Sequence, residues 1–358
     1  MLAHPAILFG TAAGPLGFGA EAATNITAEV IDATYGVSGN CDDCGADTER
    51  AYLLVGPDTG SPAAAPKVVY STDGGDTWAN LAISGIGAAV VVTAIRQVGP
   101  YLVVLVPGED AYYYSEINDL TGVPSSTWTQ VTTGIVAAGT PNDMHVASPV
   151  EVWLCGDLGY LYKITDITVG ATVVSAGDAT AENLARIDGV DEVIVAVGAN
   201  GAIVKSEDGG LTFATTTSNG GVVDNLTALA VVTPRRLWFG TDAGEVWWTR
   251  TAGEDWSQQV IDSALTAIQE IRFPTLECGY ITGTIAGPQA QIHATTNGGR
   301  TWSKGKTRIK NTPIADRFNR IATPSSPSSQ TNVNHLIVVG LAGNGTDGVA
   351  LIGAAAEL

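Results

Sequence analysis

The chain has 358 residues, of which 45% are hydrophobic and 15% charged, and 36 acidic residues against 17 basic ones give a net charge of −19. This composition provides enough apolar residues for a sizeable core. A protein this acidic is repelled by nucleic acid and by anionic membrane surfaces. The longest uncharged apolar run, Leu81 to Ile95, is too short and too rich in glycine to span a membrane. We therefore expect neither nucleic acid nor a membrane as a primary partner.

The chain opens with the apolar segment MLAHPAILFGTAAGPLGFGAEA. Gly and Pro interrupt the apolar run and no basic residue precedes it, so it lacks the pattern of a signal peptide. We expect residues 1–25 to form an ordered arm in which HPAILFG supplies a β-strand.

Cysteine and histidine offer few candidate ligands. Cys41 and Cys44 form a C-D-D-C sequence, but a zinc site needs two further ligands and no second pair or nearby His follows. A loop disulfide or two free thiols are the favoured alternatives. The four histidines (His4, His145, His293 and His335) are scattered, and no motif of a known catalytic type appears. We expect no metal and no cofactor.

An eight-residue pattern recurs along the chain. It reads STDGGDTW at Ser71–Trp78, SEDGGLTF at Ser206–Phe213 and TTNGGRTW at Thr295–Trp302, with a weaker copy, TRTAGEDW, at Thr249–Trp256. The copies and their flanking apolar stretches repeat about every 45 residues, and each unit contains four short predicted strands joined by tight turns. This spacing predicts an all-β chain with a seven-bladed β-propeller of four-stranded antiparallel blades over residues 26–358. The last unit lacks its outer strand, which the N-terminal arm would supply to close the ring.

The residues of the repeated pattern suit a turn. An Asp before two glycines accepts backbone N–H bonds, Gly adopts positive φ without strain, and an aromatic ring packs on the sheet. We therefore interpret the repeated positions as structural, and the natural replacement of Asp by Asn in one copy supports this. These positions are Asp73, Trp78, Asp208, Phe213, Trp256, Asn297 and Trp302.

The pattern S/T-x-D-x-G-x-T-W resembles the Asp-box, or BNR repeat, of sialidases, other glycosidases and non-enzymatic propellers such as photosystem II assembly factors. This resemblance implies boxes between the third and fourth strands, at the periphery and away from the central funnel. The family includes enzymes, lectin-like receptors, assembly factors and viral proteins, so the box itself does not identify an activity.

Four arginines occupy the predicted first strands: Arg96, Arg186, Arg272 and Arg320. First strands line the channel of a propeller, so these side chains could converge into an anion-binding ring. Sialidases, which the chain resembles, grip a substrate carboxylate with three arginines beside a Tyr–Glu pair. No Tyr–Glu pair can be named here. We favour the alternative in which each arginine neutralises local carboxylates.

A basic stretch follows the last box, with alternating Lys304, Lys306, Arg308 and Lys310. On one strand these side chains would share a face. They would either protect a solvated sheet edge or form a docking patch for an acidic partner, and both hypotheses stay open.

The sequence favours a non-enzymatic structural or interaction module with other proteins as partners. Low lysine content and abundant Ala, Gly, Val and Thr resemble structural proteins of phage particles, so we expect a virion component of the tail or capsid. The alternative is a glycan-binding or sialidase-like protein, located in the cytoplasm or outside the cell without a signal peptide.

Overall fold

The computed structural model describes residues 7–9, 28–36, 47–57, 64–73, 77–216, 220–287, 289–305, 308–309, 312–313, 315–323, 336–342 and 348–355. These residues form antiparallel strands linked by short turns, together with 3₁₀ turns at Pro107–Glu109, Ala137–Gly139, Asp157–Gly159 and Ala199–Gly201. No helix in this part of the chain is long and apolar enough to cross a membrane.

The strands follow one another as repeated four-stranded meanders. After β1 (Ile7–Phe9), the first three blades contain β2 (Val30–Gly36), β3 (Asp47–Val55), β4 (Lys67–Ser71), β5 (Ala79–Ala82), β6 (Ala94–Val98), β7 (Tyr101–Val106), β8 (Ala111–Glu116), β9 (Thr129–Val131), β10 (Pro141–Ser148), β11 (Glu151–Gly156), β12 (Tyr160–Asp166) and β13 (Gly170–Ala176). The next three contain β14 (Leu184–Val190), β15 (Val193–Gly198), β16 (Ile203–Ser206), β17 (Ala214–Thr215), β18 (Leu226–Thr233), β19 (Arg236–Thr241), β20 (Val246–Thr249), β21 (Ser257–Gln259), β22 (Leu265–Arg272), β23 (Gly279–Ile285), β24 (Gln289–Thr295) and β25 (Ser303–Lys304).

The C-terminal part adds a short hairpin and three long strands. These are β26 (Arg308–Ile309), β27 (Thr312–Pro313), β28 (Ala315–Ala322), β29 (Leu336–Ala342) and β30 (Gly348–Ala355). β28, β29 and β30 pair in order, and β1 pairs antiparallel with β30 through Ile7 opposite Ala355 and Phe9 opposite Gly353. The N-terminal strand therefore occupies the outer edge that the sequence assigned to it.

The expected count of seven blades was wrong, because the structure has six. Six blades consist of four consecutive strands each, and the further four-stranded sheet is a composite of β28–β30 with β1 from the opposite end of the chain. The C-terminal segment ends after three strands, and its outer edge would otherwise leave ladder N–H and C=O groups unpaired. The composite sheet depends on strand pairing between the chain ends and not on a seventh continuous repeat.

The core lies between neighbouring sheets. Between the third and fourth blades, Trp153, Leu161, Ile194 and Val204 form one buried cluster. Val30 and Leu53 of the first blade pack with Ile337 and Val339 of the composite sheet. Burying an aliphatic side chain of this size contributes about 1.5–3 kcal/mol. The ring is therefore held together mainly by apolar contacts between sheets.

Candidate functional site

The first strand of each sheet lines a central channel. The four arginines singled out in the sequence all lie on such strands: Arg96 on β6, Arg186 on β14, Arg272 on β22 and Arg320 on β28. The structure brings carboxylates from the same set of strands beside two of them: Asp32, Asp143 and Glu270.

Arg320 is the centre of this arrangement. Its side chain is 6% exposed, and its guanidinium lies 2.9 Å from Glu270 Oε2, 3.1 Å from Asp143 Oδ1 and 3.8 Å from Asp32 Oδ1. Burial lowers the pKa of Arg320, but Asp143, Glu270 and Asp32 outweigh burial and raise it overall. Arg320 is therefore held fully charged by carboxylates from three other sheets.

Arg96 interacts with two of the carboxylates that surround Arg320. It donates a hydrogen bond to Asp32 and lies 3.9 Å from Asp143, while a second hydrogen bond of 2.7 Å reaches the carbonyl of Ile95. We call Asp32, Arg96, Asp143, Glu270 and Arg320 the channel network. Two guanidiniums and three carboxylates leave it without excess positive charge.

The same carboxylates join neighbouring blades through the backbone. Asp32 accepts the N–H of Ile95 at 3.0 Å, and Asp143 accepts the N–H of Ile187 at 3.2 Å. In each case the donor is on the first strand of the following blade. Hydrogen bonds to a carboxylate are stronger than neutral ones, so these aspartates fasten adjacent first strands around the channel.

Burial and charge act in opposite directions on the network carboxyls. Burial raises the pKa of Asp143. The positive charges of Arg320, Arg186 and Arg96 lower this pKa by more than burial raises it, so the net shift is downward. Burial also raises the pKa of Glu270, and there the lowering by Arg320 and Arg186 does not overcome it. The two carboxyls therefore respond differently to acid although they share Arg320.

Arg186 and Arg272 differ from the two network arginines. Within the described residues, neither has a carboxylate oxygen within 4 Å. Arg186 donates to the carbonyl of Ala185 at 2.8 Å, and its Nε is buried without a described hydrogen-bond partner. Of the four arginines predicted to line the channel, two form ion pairs and two form none with the carboxylates that the structure describes.

The channel network separates two cavities. One, of about 450 Å³, is lined by the C-terminal halves of the first strands and includes Tyr35, Met144, Ile321 and Arg272. The other, of about 440 Å³, is lined by the N-terminal halves and includes Arg186. Arg320 lines both cavities. We call them the C-face cavity and the N-face cavity.

His145, on β10, also faces the C-face cavity. Its Nδ1 lies 3.2 Å from Asp188 Oδ1, and Asp188 accepts the N–H of Val231 at 2.8 Å. The imidazole is therefore oriented by a carboxylate that also links two blades.

The repeated octapeptides lie between third and fourth strands, away from the channel. Asp208 Oδ1 accepts hydrogen bonds from Ser206 Oγ at 2.8 Å and from the N–H of Thr212 at 2.9 Å, and Thr212 Oγ1 donates to Oδ2 at 2.6 Å. These bonds, led by that of the Thr212 hydroxyl, lower the pKa of Asp208 to about 2. Asp73 has the same bonding arrangement with Ser71 and Thr77. The carboxylate organises its own turn.

The two copies that lack the Asp, at Thr295–Trp302 and Thr249–Trp256, form the same turn with an amide or a hydroxyl in its place. Asn297 Oδ1 accepts the N–H of Thr301 at 3.0 Å, while its Nδ2 donates to Thr301 Oγ1 at 2.8 Å, so the threonine hydroxyl becomes the acceptor. In the fourth copy, Thr251 Oγ1 accepts the N–H of Asp255 at 2.9 Å. An amide therefore replaces the carboxylate in the Asn297 copy, and a hydroxyl replaces it in the fourth copy.

The aromatic position of each box packs against a neighbouring ring or strand. Phe213 lies edge-on to Trp153 of the preceding blade at 5.9 Å, and Trp302 lies edge-on to Trp238 at 5.9 Å. Trp78 packs with the composite sheet, and Trp256 packs against Phe239 at 4.6 Å.

The basic stretch is divided between elements. Lys304 on β25 lies 3.3 Å from Asp262 and its side chain is 47% exposed, whereas Arg308 belongs to the separate hairpin of β26 and β27. Lys306 and Lys310 lie outside the described residues, as do Cys41 and Cys44. The docking role of this stretch stays a prediction.

Sequence reasoning missed the carboxylate partners of the arginines. The aspartates among these partners lie in first strands, as in VIDAT for Asp32 and PNDM for Asp143. Their recurrence near the arginine positions was the available signal, but only the closed ring places residues as distant as Asp143 and Arg320 together.

A ring of radially arranged four-stranded antiparallel sheets around a channel defines a β-propeller. No protein-family model matches the chain, and no curated protein matches it either. Among solved structures, YCF48 bound to a D1 peptide has 14% identity and a TM-score of 0.65, covering 93% of this chain and 95% of that one. YCF48 from Cyanidioschyzon merolae has 13% identity and a TM-score of 0.64, covering 92% and 96%. The RRP9 WD40 repeats have 9% identity and a TM-score of 0.62, covering 91% and 94%. At these identities the likeness concerns the fold alone.

Proposed function

We propose that this protein is a non-enzymatic interaction module that binds a segment of another protein in the C-face cavity. The proposal rests on one observation: this cavity of about 450 Å³ combines apolar wall residues with an arginine, Arg272, that has no ion pair among the described residues. Apolar walls with a few polar anchors are typical of binding pockets. A peptide carrying a carboxylate fits both features.

The charge balance of the channel favours this function over the glycan-acting alternative. Arg96 and Arg320 line the C-face cavity but already have carboxylate partners, and Arg186 lines the opposite cavity. A sialidase-like grip would need three arginines free in one pocket. The fold similarity to YCF48 solved with a D1 peptide is in keeping with a peptide ligand.

A random-peptide display library tests the proposal. Selection on the immobilised wild-type chain should enrich peptides with an acidic residue or a free carboxyl terminus, and Arg272→Gln should abolish their capture. Arg317→Gln, which removes an equal charge from the N-face cavity, is the matched control and should leave capture unchanged. Equal capture by the Arg272→Gln chain would overturn the proposal. Turnover of a fluorogenic sialoside would overturn its non-enzymatic part.

A place in a phage particle is the finer form of this proposal, supported by composition alone. Mass spectrometry of purified particles is the direct test. Finding the chain only in the free protein fraction would contradict a virion role and leave the peptide-binding proposal intact.

A further inference from the structure

A second group of arginines lies at the outer edge between the fifth and sixth blades. Arg236 begins β19, Arg250 follows β20, and Arg300 lies in the turn between β24 and β25. Arg250 and Arg300 are exposed, and Arg236 is partly buried. We call these three residues the rim arginine patch.

Aromatic rings support the patch from below. The guanidinium of Arg250 lies 5.0 Å from the ring of Trp248, which stacks on Trp238 at 5.9 Å. Trp238 stacks in turn on Phe273 at 5.5 Å, and Arg236 lies 5.2 Å from the Phe273 ring. The result is a column of three rings from two blades with a guanidinium at each end. Stacking on aromatic faces limits the freedom of both arginines.

The backbone fixes Arg236 further. Its Nη1 donates to the carbonyl of Leu276 at 2.8 Å, and its Nη2 donates to the carbonyl of Gly298. Both acceptors belong to the sixth blade, whereas Arg236 belongs to the fifth. The guanidinium is therefore anchored without using a carboxylate.

The patch is not neutralised within the described part of the chain. None of its three guanidiniums has a carboxylate oxygen within 4 Å there. Burial lowers the pKa of Arg236, and Arg250 and Arg300 lower it also, against a raising effect of Glu277. The three positive charges thus repel one another, although the chain has 36 acidic residues to place beside them.

We propose that the rim arginine patch docks an acidic segment of a partner protein. Preorganised guanidiniums recognise carboxylates by paired hydrogen bonds, and Arg and Trp are the residue types that dominate binding energy at protein interfaces. A short acidic segment meets only the local field, because charges more than about 8 Å away are screened at physiological salt. A nucleic acid extending beyond the patch would meet the acidic remainder of the surface.

Fluorescence anisotropy with a labelled short peptide of alternating Glu and Ser provides the test. Arg250→Gln and Arg300→Gln should each weaken binding about threefold to fivefold, the range expected for one exposed charge contact. Binding should also weaken as salt rises. Arg317→Gln is the matched control, because it removes an equal charge from an exposed arginine that is paired with Glu29.

The proposal is overturned if the wild-type chain does not bind the peptide, or if Arg317→Gln weakens binding as much as the patch variants. Tighter binding of a single-stranded oligonucleotide of equal charge would also overturn it, in favour of a nucleic-acid surface. Arg272→Gln distinguishes the two surfaces: if it weakens binding of this probe while Arg250→Gln and Arg300→Gln do not, the peptide occupies the C-face cavity and the rim proposal is overturned.

Discussion

In the channel, Arg320 is 6% exposed and lies within 4 Å of three carboxylates, whereas Arg250 and Arg300 on the rim are exposed and have no ion pair among the described residues. The channel arginine joins sheets that are distant in sequence. On the rim, Arg236 and Arg250 lie over aromatic rings, and no carboxylate of the described residues pairs with the patch. The same residue type therefore stabilises the ring where it is paired and is available to a partner where it is not.

The largest expected effect follows from removing the centre of the channel network. Arg320→Met should destabilise the protein by about 3–5 kcal/mol, because it leaves buried carboxylates without their partner. Urea unfolding measures this loss. Arg250→Gln, the rim counterpart, should change stability by less than about 0.5 kcal/mol. Similar losses in the two variants would remove the distinction between the regions.

Acid should weaken the fold without titrating the rim arginines. Burial lowers the pKa of His293 to about 4, with Asp262 raising it and Lys304 lowering it. Because this folded value lies below the unfolded one, the neutral imidazole contributes stability that is present above about pH 6.5 and is lost towards pH 4. The loss should reach about 3 kcal/mol, since His293 is only 2% exposed.

Urea unfolding at a series of pH values checks this window. His293→Leu should flatten the pH dependence between about 6.5 and 4. Asp143, whose pKa is lowered, should add its own loss as pH falls through the normal carboxyl range towards its lower folded pKa, so Asp143→Asn should alter the profile at lower pH than His293→Leu. An unchanged profile in His293→Leu would contradict the assignment.

A glycine beneath the aromatic column allows a test of whether the column supports peptide binding. Gly299 has φ of 80°, and a Cβ there would lie 2.4 Å from the Trp238 ring. Gly299→Ala should cost about 1–3 kcal/mol and weaken acidic-peptide binding by displacing the column. Gly210→Ala, which would meet Trp153 at 1.9 Å, should cost a comparable amount without affecting binding.

Gly209→Ala is the backbone control for both variants, because Gly209 has φ of 68° and open space around its missing Cβ. It should show only the left-handed strain of about 1–2 kcal/mol. Unfolding midpoints and the anisotropy titration separate the three variants. Equal loss of binding in Gly210→Ala would mean that general destabilisation, and not the column, weakens the patch.

The smallest effect is expected at the Asn-containing turn beside Arg300. Asn297→Asp should change stability by less than about 0.5 kcal/mol, because the Thr301 hydroxyl can donate to a carboxylate as Thr212 does to Asp208. Asn297→Ala should cost about 1 kcal/mol through lost hydrogen bonds. Thermal unfolding distinguishes them, and a larger loss in Asn297→Asp would show that the turn requires the amide.

The sequence predicted those features that depend on short stretches of chain. A box such as Ser206–Phe213 contains its own donors and acceptors, so its turn follows from local chemistry, and its spacing reveals the blades. The pairing of β1 with β30 was also predicted, because three strands could be recognised in the last repeat and HPAILFG offered a fourth. Because that sheet combines β1 with β28–β30, the number of blades built from four consecutive strands is six.

The candidate sites were predictable only in part. First-strand positions placed four arginines at the channel, but the distribution of carboxylates among them depends on the closed ring. The rim patch was not foreseen, since Arg236, Phe273 and Arg300 meet only where two blades pack. Residues that meet only across the interface between two repeats do not recur at a fixed spacing in the sequence, so the repeat pattern does not predict their contact.

The pairing of β1 with β30 has a mechanical consequence. Pulling β1 away from β30 would load this pairing before any continuous blade, and in the described part of the chain its register joins Ile7, Leu8 and Phe9 to their partners. The ring would therefore open first between β1 and β30, while the six continuous blades retained their internal strand ladders.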